Sequence, residues 1–275
     1  MSEAAAPLGL IAGNGRFPLL VARGARRAGR RVVAVAIREE AAPELASEVD
    51  EVHWVGLGQL GACLEALKGA GVREAVMAGQ VKHRQIFSGI VPDLKLMGVL
   101  ARLAFRNTDS LIGGVADALE REGISLLPST RFLDEELARP GAMTRRSPSR
   151  EERRDIDYGR RIGKALAGLD LGQTVVVKQC AAVALEAMEG TDEVIRRAGR
   201  IAGAGATVVK VAKPRQDMRF DVPVVGDLTL AAMAEAGAAT LAVEAGRTLL
   251  LEKAAFLREA DHLGIAVWGM EGQAD

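Results

Sequence analysis

Leu8-Gly9-Leu10-Ile11-Ala12-Gly13-Asn14-Gly15-Arg16-Phe17-Pro18 is the stretch on which the fold turns. Five apolar residues form a buried strand and run straight into a glycine-rich turn. A helix is expected over residues 19–28, stopped by Gly29, and residues 31–37 give a second apolar strand. Strand, turn, helix, strand is a right-handed βαβ unit, whose loop at the helix start suits an anion or a nucleotide. The turn lacks the three-glycine dinucleotide spacing, because Arg16, Phe17 and Pro18 follow Gly15, and it has no Lys-Ser/Thr pair of a P-loop. Two readings stand for Gly13, Asn14 and Gly15: backbone donors to a polar part of a ligand, or a tight turn that needs positive φ.

Outward from this unit, residues 51–55 read as a short strand, 58–70 as a helix and 74–78 as another buried strand. That last strand opens onto Gly79-Gln80-Val81-Lys82-His83. In a doubly wound sheet its end meets the first loop at the crevice where ligands bind, which would put Gln80 and Lys82 beside Gly13–Gly15. His83 reads as a structural histidine. Residues 92–105 have helical spacing, and residues 107–110 cap a helix over 111–122. Asp109 is most simply its N-cap, although a helix start facing the crevice could also touch ligand. A strand over 124–127 completes an N-terminal Rossmann-like domain of residues 1–138.

From residue 139 the texture changes. Proline, glycine, serine and arginine crowd residues 139–149, which read as a linker. The second domain, residues 150–275, is again α/β, with a mixed sheet, shorter strands and hairpin-like pairs. Its helices are expected over 150–167, 193–203 and 252–263. Thr191 or Asp192 would cap the middle one. Capping leaves Glu189 and Gly190 unexplained, which suggests a site loop.

Composition agrees with two α/β domains. The chain has 275 residues, and its 49% hydrophobic content includes only 3% aromatics, which favours helices on a mostly parallel sheet. A formal net charge of zero argues against nucleic-acid binding through a basic field. Cys63 and Cys180 stand far apart in no metal-ligand pattern and read as reduced thiols of a cytoplasmic protein. The N-terminus is not a signal peptide, and no apolar run reaches membrane-spanning length.

The chemistry concentrates in Lys213-Pro214-Arg215-Gln216-Asp217-Met218-Arg219-Phe220-Asp221-Val222-Pro223, which follows the buried run Val208-Val209-Lys210-Val211. Lys213, Arg215 and Arg219 could hold a polyanion, while Asp217 and Asp221 could hold a divalent metal or a water. Cations with carboxylates at a strand end are what phosphoryl chemistry uses. The same residues would also make a salt-bridged loop.

Four segments in this order, residues 10–18, 78–82, 186–192 and 213–223, resemble one family: the UDP-2,3-diacylglucosamine pyrophosphatase of lipid A synthesis in Gram-negative bacteria, of the type built from two α/β domains. The resemblance covers nearly the whole chain, and its last motif is the most specific. It implies Mg²⁺-dependent hydrolysis of the pyrophosphate to UMP and 2,3-diacylglucosamine 1-phosphate, with the substrate held between the domains. It matches the family's essential aspartate to Asp221, or else to Asp217. On this basis Asp221, Asp217 and Lys213 form the expected catalytic set, and Asp221 and Glu189 the expected metal ligands. Gly13, Asn14, Gly15, Gln80, Lys82, Asp109, Glu189, Gly190, Thr191 and Arg219 form the expected substrate contacts. A homodimer and peripheral contact with the inner membrane complete the expected partners. The chain departs from the family at Gln179-Cys180-Ala181, where a turn glycine is expected. Rival readings are a nucleotide-sugar-binding module without hydrolysis and an NAD(P)-dependent oxidoreductase, for which Glu39-Glu40 could hold a ribose.

Overall fold

The structure, a computed structural model, describes residues 6–81, 91–103, 108–214 and 216–272. The chain divides into two compact units, Met1–Leu133 with Met218–Phe220, and Asp134–Asp217 with Asp221–Asp275.

The first unit holds a five-stranded, wholly parallel sheet. Its strands are β1 (Leu8–Ala12), β2 (Val32–Ile37), β3 (Glu51–Val55), β4 (Glu74–Ala78) and β5 (Ser125–Leu126), in the order β3-β2-β1-β4-β5. Strands covered on both sides can be apolar at successive positions, which is why β1 and β2 read as unbroken hydrophobic runs. Helix α1 (Phe17–Arg27) starts with Pro18 in its first turn, where a missing N–H costs nothing, and lies against β1, β2 and β4. Ile11, Val33 and Val35 pack instead with α3 (Leu60–Gly69), α4 (Leu94–Leu100) and α5 (Thr108–Arg121), while the short α2 (Leu45–Glu48) precedes β3. Strand order reverses direction at β1 and β4, which creates the topological switch point.

The second unit holds a six-stranded mixed sheet. Its strands are β6 (Gly141–Ala142), β7 (Thr174–Lys178), β8 (Ala181–Leu185), β9 (Thr207–Lys210), β11 (Thr240–Glu244) and β13 (Ala266–Met270), in the order β6-β13-β11-β9-β7-β8. The centre, β9-β11-β13, is parallel and the flanks are antiparallel. Helices α7 (Thr191–Ala202), α8 (Asp227–Ala236) and α9 (Lys253–His262) cover one face through Ile195, Leu230, Met233 and Phe256. Helix α6 (Arg150–Gly168) covers the other, against Val175, Val177, Val209 and Val211.

Three expectations need correction. Residues 139–149 are no linker: β6 pairs antiparallel with β13, the Thr144 hydroxyl accepts from the Val267 amide at 2.8 Å, and Arg146 pairs with Glu152. Proline and glycine there serve an edge strand, and the arginine is bonded internally. Second, of the consecutive strands expected as hairpin-like pairs, β7 and β8 form one, whereas β11 and β12 (Leu249–Leu250) do not. Strand β12 pairs in parallel with β10 (Val224–Val225) in a separate two-stranded sheet, because the Leu249 amide is taken by the Pro223 carbonyl. Third, the caps of two helices differ. Helix α5 already includes residues 108–110, so Asp109 lies in its first turn, and α7 has Gly190 as its N-cap with no side-chain cap.

The hairpin β7–β8 explains the missing glycine. Gln179 and Cys180 both take positive φ, at 53° and 56°, in a two-residue turn of the kind that matches strand twist. Their amides donate to the buried Asp155 carboxylate at 3.2 and 2.6 Å, which offsets the strain of two side-chain-bearing residues in that region.

Candidate active site

In the first unit, the ends of β1 and β4 are tied by backbone bonds. The Gly13 amide donates to Ala78 O at 2.8 Å, Asn14 N to Gln80 O at 2.8 Å and Gln80 N to Asn14 O at 3.2 Å. A Cβ on Gly13 would lie 2.7 Å from Gln80 O, and one on Gly79, at φ +90°, 2.6 Å from Asn14 O. Both glycines are thus needed for close approach of two backbones. The structure therefore brings Gly13, Asn14 and Gln80 together at the switch point, with Gly15 following at φ 91°. Beside Gly15 a Cβ would meet open space.

Asn14 Nδ2 donates to Glu40 Oε2 at 3.2 Å, and Glu40 is buried. Glu39 Oε2 accepts from the Leu57 amide at 2.9 Å. The two acids considered as ribose ligands are thus engaged within the protein. Lys82 lies outside the described residues, as does His83, and of Asp109 only the backbone is described.

In the second unit, the loop after β9 is closed by side chains. Gln216 accepts from the Lys213 amide at 2.6 Å through Oε1 and donates to the Asp221 carbonyl through Nε2, clamping both ends of the loop. The Asp221 amide donates to Asp217 O at 2.9 Å. Lys213 Nζ lies 3.2 Å from Asp221 Oδ2 and 2.7 Å from Asp170 Oδ1, so it bridges two carboxylates. From α6, Lys164 donates to Ala212 O at 2.9 Å and pairs with the buried Glu244 at 2.6 Å, fixing the backbone one residue before Lys213.

Residues 189–191 sit at the start of α7. Glu189 pairs with Arg197 at 2.5 Å. Its own backbone amide first, then Arg197 and the Ala187 amide, hold its carboxyl below the ordinary carboxylate range. Thr191 does not cap the helix. Its hydroxyl donates to Glu186 Oε1 at 2.9 Å and accepts from Lys210 Nζ at 2.7 Å, while Asp192 Oδ1 accepts from Thr229 at 3.0 Å.

Arg219 falls in the three-residue segment that belongs to the first unit, unlike Lys213, Asp217 and Asp221. Its carbonyl accepts from the Ser129 hydroxyl at 2.7 Å, and the neighbouring Phe220 packs on the cluster under the first sheet. Asp170, Lys210, Glu186 and Gln216 were not among the sequence candidates. Lys210 carried a usable signal, since a lysine that ends a buried strand must find polar company. Asp170 carried none, being brought to Lys213 by tertiary structure alone.

Comparison with known proteins fits this two-unit architecture. Residues 7–136 match the LpxI N-terminal domain and residues 139–268 the LpxI C-terminal domain. A protein of Caulobacter vibrioides named UDP-2,3-diacylglucosamine pyrophosphatase LpxI is 34% identical over 277 residues, covering 97% of this chain and 98% of its own. Two solved structures give distant likenesses. A Rhizobium etli pyruvate carboxylase is 16% identical over 43% of this chain and 10% of its own, with a TM-score of 0.27. A Campylobacter jejuni biotin carboxylase is 12% identical over 71% of this chain and 42% of its own, with a TM-score of 0.28. Both are too weak to bear on fold or function. Matched in both units and along almost its full length, the chain belongs to the LpxI family.

Proposed function

We propose that this protein is a hydrolase that cleaves the pyrophosphate bond of UDP-2,3-diacylglucosamine, giving UMP and 2,3-diacylglucosamine 1-phosphate. The carrying observation is the likeness to the Caulobacter pyrophosphatase across 97% of the chain. The bridging of Asp221 and Asp170 by Lys213 supports it.

Hydrolysis needs a water aligned on phosphorus, a group to take its proton, and charge to steady the leaving phosphate. Asp221 takes the proton as the water oxygen bonds to phosphorus and the bridging P–O bond breaks. Lys213 orients Asp221 and faces the phosphate oxygens, and Asp217 is the alternative base. Gly13, Asn14, Gly15 and Gln80 hold a polar part of the substrate, as do Gly190, Thr191 and Arg219.

Mg²⁺ is the metal this reading calls for. Asp221 and Asp170 would offer it carboxylate oxygens, with water and substrate phosphate completing its shell, once Lys213 Nζ, which pairs with both, gives way. Glu189, the other expected ligand, would likewise have to exchange Arg197. Bound there, Mg²⁺ would neutralise charge on the phosphate oxygens. Chelation with EDTA is expected to lower turnover at least about a hundredfold, restored by added Mg²⁺.

Asp221→Ala is expected to abolish turnover while substrate still copurifies, as read by hydrolysis assay and mass spectrometry. Near-normal turnover in that variant would sink the assignment, and a dead Asp217→Ala beside an active Asp221→Ala would exchange the two acids. An oxidoreductase would instead show a thermal shift with NAD(P), and a pure binding module would leave the substrate intact. The two acyl chains of the substrate make peripheral contact with the inner membrane part of this proposal. Liposome flotation tests that contact, and light scattering tests the homodimer.

A further inference from the structure

Cys180, in the turn that lacks the expected glycine, lines an open cavity of about 480 Å³ with Arg154, Asp157, Tyr158, Arg160 and Arg161 of α6. That volume suits a small ligand. The cavity is remote from the candidate active site. Strand β7 runs antiparallel to β9, so the turn after β7 sits at the start of β9, whereas Lys213 follows its end. Helix α6 reaches both places: Asp155 holds the turn, and Gly168 lies by Pro214. At about 1.5 Å per residue, roughly 20 Å of helix separates Arg154 from Gly168.

The cations round this cavity are held in place yet lack counter-ions. The Arg160 guanidinium donates to the Glu271 carbonyl at 2.6 Å, while its Nε is buried without a partner among the described residues. Arg161 Cζ lies 5.8 Å from the centroid of the Tyr158 ring, a stacking that leaves the N–H edge of the guanidinium to other partners. Among the described residues neither Arg154 nor Arg161 forms an ion pair, even with Asp157 in the same wall. The Asp155 carboxylate is taken by the amides of Gln179 and Cys180. Three guanidiniums against one carboxylate leave the lining with a net charge of +2. A cleft lined by one sign of charge focuses its field and gathers ions of the other sign.

We propose that this cavity is a second anion site, built for a phosphate monoester and independent of the hydrolase reading. Such a group carries a charge of about −1.5 to −2 at pH 7 and so matches the lining, whereas a single carboxylate would leave half of that charge unanswered. Arginine forks also bind phosphate oxygens in pairs. Arg154 and Arg161 hold the phosphate, Arg160 adds fixed positive charge beside them, and Asp157 suits a hydroxyl on the rest of the ester. Cys180 serves as a wall of the site and takes no part in chemistry. The ester belongs either to a soluble molecule or to a lipid headgroup, and the phosphate is what the two share.

Cys180 reports on this site directly, because the chain's other cysteine, Cys63, is buried. Alkylation of the full-length chain by iodoacetamide should slow as glycerol 3-phosphate is added, to about a tenth of its starting rate at ten times the half-effect concentration. Sodium chloride or acetate at equal ionic strength should leave the rate nearly unchanged. In Arg154→Gln/Arg161→Gln the protection should vanish, and since both side chains are exposed the fold should be kept. Phosphatidylcholine vesicles containing phosphatidic acid supply the second arm. Protection by these vesicles assigns the ester to a lipid headgroup, and protection by glycerol 3-phosphate alone assigns it to a soluble molecule. No protection in either arm, equal protection by acetate, or protection that survives in the double variant would overturn the site.

Discussion

Asp155 shows how one buried carboxylate substitutes for a glycine. Its two oxygens accept from consecutive amides in a turn whose residues both carry side chains at positive φ. Asp155→Ala would leave two strained residues without this anchor, and a loss of about 3 kcal/mol in unfolding free energy is expected from denaturant titration. Cys180→Gly should act oppositely and stabilise by about 1 kcal/mol, because glycine enters that region freely. The two cysteines also separate at this scale. Burial first, and the nearby Asp93 charge second, push the Cys63 thiol up to about 12, whereas Cys180 is exposed. A thiol reagent at pH 8 should therefore modify one group in the native protein and none in Cys180→Ser.

At the scale of elements, α6 is held at its start and along its length. Ser149 and Glu152 form a reciprocal capping box, and Glu152 also pairs with Arg146. Burial alone would raise the Glu152 carboxyl, but the Ser149 amide, the Arg146 guanidinium and the Thr240 hydroxyl together bring it below its ordinary value of 4.5. The native state thus binds fewer protons here than the unfolded chain. Its stabilising effect is full above 4.5 and fades as pH falls through the lower native value. The difference in melting temperature between wild type and Glu152→Gln should be constant from pH 7 down to mildly acid conditions, then shrink below that value. Further along α6, a Cβ on Gly159 would lie 2.7 Å from Val209 Cγ2 and 2.9 Å from Val177 Cγ2. Gly159→Ala gains helix propensity of about 1 kcal/mol but should still destabilise by about 1–2 kcal/mol, since the helix must lift off the sheet.

At the scale of the whole molecule, what could be read from the sequence follows the range of the forces involved. Strands such as β1 and β2 announced themselves because burial on both faces demands apolar residues at successive positions. Partners of short strands did not: nothing in Leu249–Leu250 says that it pairs with Val224–Val225 instead of β11. The polar, proline-containing run at residues 139–149 looked like a tether because composition carries no record of Glu152, Val267 or Asp261 as partners. At the candidate site, Lys213 and Asp221 were legible since they lie eight positions apart on one loop. Asp170, Glu186 and Glu244 come from other segments and depend on the folded arrangement.

The segment Met218–Phe220 gives this arrangement an order in time. It completes the first unit, supplying Phe220 to the cluster under its sheet and two carbonyls to Ser129, yet it follows Leu133 by roughly 85 residues. At about 5–20 residues per second a ribosome needs about 4–17 s to cover that distance. A sheet that folded as it emerged would spend that interval with a gap in its packing and with the Ser129 amide unmet by Met218. The stretch that fills the gap is flanked by Asp217 and Asp221, so the first fold is finished only once the loop bearing the acids has been synthesised.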